Sequence, residues 1–277
     1  LHPRVRQAVA HIVEHPPDLV ISTGDMIAGQ QPHPKLGDQQ LHDMWTEFHR
    51  TVTEPLARAG IPLAVTPGNH DASAYPSYAH ERAAYARAWA DRRPDLEFVD
   101  GDGFPFRYAF RLGGHLFVSL DATRTGPLPP GDRRWLEALL EGEPADRAQV
   151  LFGHLPVWPV AQGRETEYLD DPALRELLAS RGVELFLSGH HHAYYAGAAR
   201  ATIHISQACL GSGPRRLLGG AGVSPRAYTR ITLDQSGVAG VDAWRAPDFD
   251  AVIPLETLPP YVDSAPGRLL RLDRAGL

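Results

Sequence analysis

The chain's 277 residues are enough for one large domain with a substantial core or two small ones, and a composition of 43% hydrophobic and 22% charged residues excludes wholesale disorder and a fibrous design. A formal net charge of -6 gives no global attraction to nucleic acid or to an anionic membrane surface, so affinity for an anionic ligand needs a local source. The single cysteine, Cys209, excludes an internal disulfide and a cysteine-rich zinc site, and reads as a small buried apolar residue.

From Arg4 to Glu14 apolar residues fall at Val5, Ala8, Val9, Ile12 and Val13, the three-and-four spacing of an amphipathic helix, which Pro16-Pro17 stops. Asp18 to Thr23 is a short apolar run ending in Gly24-Asp25, as expected of a buried parallel strand with a polar tip. A helix is predicted around Asp43 to Ala59. The strand Pro62 to Thr66 then runs into Pro67-Gly68-Asn69-His70-Asp71, and a helix follows around Tyr78 to Ala90.

Arg107 to Asp121 reads as a hairpin turning at Gly113-Gly114. Asp132 to Leu140 is predicted helical, and the strand Gln149 to Phe152 ends in Gly153-His154. Pro172 to Ser180 is predicted as a helix with Asp171 as its cap, and the strand Val183 to Leu187 ends in Ser188-Gly189-His190-His191-His192. Ala201 to Cys209 and Tyr228 to Trp244 read as further strands, with a turn at Gln235-Ser236-Gly237. This organisation predicts a domain over residues 1–246 and a C-terminal extension over 247–277, rich in proline, extended or partly helical.

In open α/β sheets ligands gather at the carboxyl ends of strands, where loops converge on a common crevice. Four blocks sit at such ends: Gly24-Asp25 offers a carboxylate, Gly68-Asn69-His70-Asp71 an amide oxygen and an imidazole, Gly153-His154 an imidazole, and Gly189-His190-His191-His192 two imidazoles two residues apart. Oxygen and imidazole without thiolate suits Mn, Fe or Zn. In extended backbone His190 and His192 point the same way and His191 the opposite way. Taken singly, Asp25 and Asn69 are ordinary turn residues, and His11, His15, His33, His42, His49, His80, His115 and His204 are structural or surface histidines. Arg215-Arg216 reads as a solvated basic pair, and Tyr194-Tyr195 either lines the pocket or packs.

These blocks resemble the calcineurin-like metallophosphoesterases, whose pattern runs Asp-x-His, Gly-Asp, Gly-Asn-His-Asp/Glu, a lone His, then Gly-His-x-His. Four of the five occur here in order, over a stretch from about Arg4 to about Gly211. Leu120-Asp121, Trp135-Leu136 and the strand-rich region after His192 resemble the purple acid phosphatase and cyclic-nucleotide phosphodiesterase branches.

The resemblance implies an α/β fold, a sandwich of two mixed β-sheets flanked by helices. It also implies two divalent or trivalent first-row ions, Mn, Fe or Zn, that clamp a small phosphate-ester substrate and activate its nucleophile. Asp25 would bridge the ions, Asn69, His154 and His190 would complete one shell, and His192 would bind the other ion. His70 would be the catalytic acid or steady the transition state, with Asp71 orienting it or lying behind the ligands.

The Asp-x-His block is absent, because the chain begins in the helix that would follow it; the expectation is an N-terminally incomplete domain lacking its first strand. Ala28 stands where the purple enzymes carry a metal-binding Tyr, so no tyrosinate colour is expected. The leading function is phosphomonoester or phosphodiester hydrolysis. Alternatives are a nuclease of the same superfamily, disfavoured by the acidic balance, and a catalytically silent metal-binding scaffold for partner recognition. No stretch is long and apolar enough to cross a bilayer, which leans weakly towards the cytoplasm, but the start at Leu1 leaves the compartment and any leader open.

Overall fold

The computed structural model describes residues 1–142 and 147–276. Helix α1 spans Pro3–Glu14: the His2 ring accepts from the Arg4 N–H, Pro3 occupies the first turn where no donor is needed, and the helix buries Ala8 and Val9. Strand β1 (Val20–Ser22) pairs in parallel with β2 (Leu63–Val65) to form a two-stranded sheet. Between them the predicted single helix is divided into α2 (Asp38–Phe48), a π-helical turn over His49–Thr53, and α3 (Glu54–Arg58). Pro55 cannot donate to a carbonyl of the preceding turn, and the wide turn falls just ahead of it.

A one-turn helix, α4 (Asn69–Ala72), begins at the Gly-Asn-His-Asp block, and α5 (Ala79–Trp89) follows. The sequence reading missed strand β3 (Glu97–Asp100), which pairs with β4 (Tyr108–Leu112); β4 turns at Gly113-Gly114, both at positive φ, into β5 (His115–Ser119). Then come α6 (Pro130–Glu141), β6 (Gln149–Gly153), α7 (Pro172–Ser180) and β7 (Leu185–Ser188). The Asp171 side chain accepts from the Leu174 N–H, the cap that the sequence predicted.

The last strands are β8 (Tyr195–Ala199), also missed, β9 (Thr202–Ser206), the hairpin β10 (Ala227–Asp234) and β11 (Gly237–Arg245), and β12 (Tyr261–Ser264) and β13 (Gly267–Arg271). A mixed nine-stranded sheet runs β12-β13-β8-β9-β7-β6-β5-β4-β3. Its centre, β5, β6, β7 and β9, is parallel and buried along its length, the pattern of strands covered on both faces. Residues 247–276, read from sequence as an extension, supply β12 and β13, which join the sheet through the pairing of β13 with β8.

The molecule is thus a mixed α/β structure with a large mixed sheet flanked by helices. Beside the large sheet lie two two-stranded sheets, the parallel β1–β2 pair and the antiparallel β10–β11 hairpin, rather than a second mixed sheet. The large sheet and the β1–β2 pair are tied at a seam: the Tyr108 hydroxyl donates to the Val65 carbonyl (2.6 Å) and accepts from the Val65 N–H (2.8 Å), and Thr66 donates to the Leu120 carbonyl (2.8 Å). One core fills the large sheet; a second, around Leu41, Trp45, Tyr85 and Trp89, packs α2 and α5 against β1–β2.

Candidate metal centre

The carboxyl ends of β1 and β2 from the small sheet meet those of β6 and β7 from the large one, and each end carries one of the glycine-led blocks. Gly24 and Gly68 make this meeting possible. A Cβ on Gly68 would lie 2.1 Å from the Asp25 nitrogen and 2.3 Å from its Oδ1, and one on Gly24 would lie 2.6 Å from the Gly68 backbone.

Four side chains converge. Nε2 of His154 lies 2.8 Å from Asn69 Oδ1, 3.1 Å from His190 Nδ1 and 3.2 Å from Asp25 Oδ2. Nδ1 of His154 faces the Thr23 carbonyl at 2.8 Å and must donate to it. One proton at most can sit on Nε2, so it cannot satisfy all three acceptors around it. Such a convergence of lone pairs calls for a cation. Separations near 3 Å are those of neighbouring donors on an ion with bonds of about 2.0–2.1 Å, and two oxygens with two imidazole nitrogens suit a first-row metal. The donor set fits the ion that the sequence implied. Burial works against both charges, but Asp25 and His154, each beside the other, hold the Asp25 pKa down and the His154 pKa up.

Each converging group has a partner that aims it. The Asp25 Oδ1 accepts from the His70 N–H (2.9 Å). The Asn69 amide donates to Gln30 Oε1 (2.5 Å), which turns its own oxygen towards His154. His190 donates from Nε2 to Glu167 Oε2 (2.9 Å), leaving the Nδ1 lone pair for the cluster. Burial, then the charge of His154, pushes the His190 pKa down to about 2, so its ring is neutral and a competent ligand.

His70 donates from Nδ1 to the Gly29 carbonyl (2.7 Å), which leaves Nε2 as its open nitrogen. The same loop is fastened by fully buried Glu81, whose carboxylate accepts from the Gln30 N–H (2.8 Å). Asp71 is fully buried, and its two oxygens accept from the Ile27 and Gly68 N–H groups. It ties the Asp25 loop to the Asn69 loop, while His70 takes its orientation from Gly29.

His190 and His192 do not follow the alternation expected of extended backbone. Both sit in the left-handed region, at φ 62° and 52°, as does Asp25 at 59°. His192 donates from Nδ1 to the Gly213 carbonyl (3.0 Å) and stands apart from the contacts around His154 Nε2. His191 turns inward: its Nδ1 accepts from the Val160 N–H and its Nε2 donates to the Glu167 carbonyl. Gln30, Glu81 and Glu167 were not found from sequence, because no local spacing links them to the residues they hold.

The fold and this cluster define an α/β protein that carries, on strand ends from two sheets, a group of side chains able to hold a metal ion. The family model for calcineurin-like phosphoesterases matches residues 1–194, and the chain belongs to that family. Among solved structures the chain is similar to a dimetal phosphatase from Danio rerio, at 20% identity and a TM-score of 0.53, covering 76% of this chain and 78% of that one. It is also similar to the purple acid phosphatase PPD1 of yellow lupin (Lupinus luteus) seeds, at 15% identity and a TM-score of 0.64, over 88% of this chain and 47% of the lupin chain. GAP50, the anchor in the inner membrane complex of Plasmodium, matches at 14% identity and a TM-score of 0.54, over 87% of this chain and 78% of its own. At these identities the likeness is one of fold. No curated protein matches the chain. Among the described residues no helix is long and apolar enough to cross a membrane.

Proposed function

We propose that the chain hydrolyses phosphate esters, mono- or diesters, with a metal centre held by Asp25, Asn69, His154 and His190. The observation that carries this reading is the crowding of acceptors around His154 Nε2, which a cation satisfies and a single proton does not. Bound Mn, Fe or Zn would supply Lewis-acid polarisation of the phosphoryl oxygens and a nucleophile at neutral pH. By the resemblance Asp25 would be shared with a second ion, and His192 would be that ion's other donor from the sequence blocks.

His70, fixed through Nδ1, offers Nε2 to protonate the leaving oxygen. Asp71 acts through the two loops it joins rather than on substrate. The phosphatase names of the Danio rerio and lupin neighbours point the same way. Elemental analysis paired with turnover of chromogenic phosphomonoesters and phosphodiesters tests the reading. Turnover should need added metal, and His70→Ala should lower it by about 100-fold or more while metal content stays. Metal binding with no turnover of either ester would instead favour the scaffold.

A further inference from the structure

Glu167 lies on the segment between β6 and α7, outside all four sequence blocks, yet it holds two consecutive histidines of the last one. Its carboxylate takes the His190 Nε2 proton at 2.9 Å, and its backbone carbonyl takes the His191 Nε2 proton at 2.9 Å. The same carboxylate oxygen is ion-paired to Arg164 Nη1. We propose that Glu167 is a positioning residue of the metal centre that locks His190 as an Nδ1 ligand, with Arg164 anchoring the carboxylate; this rests on the metal reading above.

The argument is one of tautomer and direction. An imidazole whose Nε2 proton is held by a carboxylate must present its lone pair from Nδ1, and that atom is the one 3.1 Å from His154 Nε2. His190 sits in left-handed backbone, and a ring so placed gains from an anchor at its far side. A carboxylate on the distal nitrogen also makes the ring a more basic ligand.

The test compares wild type, Glu167→Ala, Glu167→Gln, His190→Ala and the double variant His190→Ala/Glu167→Ala. Two quantities are read: affinity for Mn²⁺ or Zn²⁺ by chelator competition, and urea unfolding of the metal-free protein. Glu167→Ala should weaken affinity by about 10- to 100-fold. Glu167→Gln, whose amide oxygen can still accept the proton, should recover part of the loss. In the His190→Ala background, removing Glu167 should change affinity no further. Wild-type affinity in Glu167→Ala, or an undiminished loss in the His190→Ala background, would overturn the proposal. A wild-type protein that binds neither ion overturns the metal reading itself, which is a separate result.

Discussion

At the scale of single residues, the site depends on two loops approaching so closely that neither Gly24 nor Gly68 has room for a Cβ. Gly68→Ala should therefore lower metal affinity at least 10-fold and destabilise the fold by about 1–3 kcal/mol, read by chelator competition and urea unfolding. Gln30→Ala frees the Asn69 amide to rotate and should also weaken binding, with metal-free stability changing less. His204 shows the opposite use of an imidazole. It is buried, with ring centroids 4.9 Å from Trp158 and 6.1 Å from Phe186, and burial pushes its pKa down to about 3. The unfolded chain, with an ordinary histidine value of about 6.5, binds the extra proton between these limits. Stability is thus full above the unfolded value and falls as pH drops through the window, by up to about 1.4 kcal/mol per pH unit. Urea midpoints at pH 7 and pH 5 should diverge less in His204→Leu than in wild type. The four glycine-led blocks were legible because each packs ligand and turn into adjacent positions. Gln30 and Glu167 were not, since their partners lie 39 and 23 residues away and only the fold brings them together.

At the scale of elements, the helices and the parallel strands were legible because their periodicity is strong. Two of the four strands that escaped, β3 and β8, were atypical. Glu97-Phe98-Val99-Asp100 is an edge strand flanked by acidic residues, and Tyr195-Ala196-Gly197-Ala198-Ala199 is built almost wholly from small residues with little β signal. The orientation of His190 and His192 was misjudged for a related reason: alternation holds only in extended chain, and both residues leave it. The turn from β8 to β9 places Arg200 and Ala201 at φ 51° and 66°, which L-residues adopt at a cost of about 1–2 kcal/mol each. Arg200 is ion-paired to Glu176, whereas the Ala201 side chain is exposed. Ala201→Gly should raise stability by about 0.5–1 kcal/mol, seen as a higher urea midpoint with an unchanged slope.

At the scale of the whole molecule, the candidate centre is a clasp between two sheets. Asp25 and Asn69 follow strands of the small sheet and His154 and His190 follow strands of the large one, joined otherwise at the seam by Tyr108 and Thr66. On the proposed assignment an ion there would hold the sheets together, so saturating metal at about 100 times its dissociation constant should add about 2.7 kcal/mol to stability. Chelation should lower the melting temperature by several degrees, and His154→Ala should remove that dependence. The C-terminal strands extend the same logic: Tyr195 of β8 donates to the carbonyls of Pro259 and Leu269, pinning the end of the chain to the sheet that carries His154 and His190.

The spread of the clasp along the sequence bears on how the protein is made. Thr23 and His154, joined by one hydrogen bond, are separated by 131 residues, and His190 comes later still. A nascent chain leaving a ribosome therefore exposes its carboxylate and amide donors long before its imidazoles. On the proposed assignment the small sheet and its helices would stand without an ion throughout that interval, and metal would be captured only once His190, just beyond β7, has emerged.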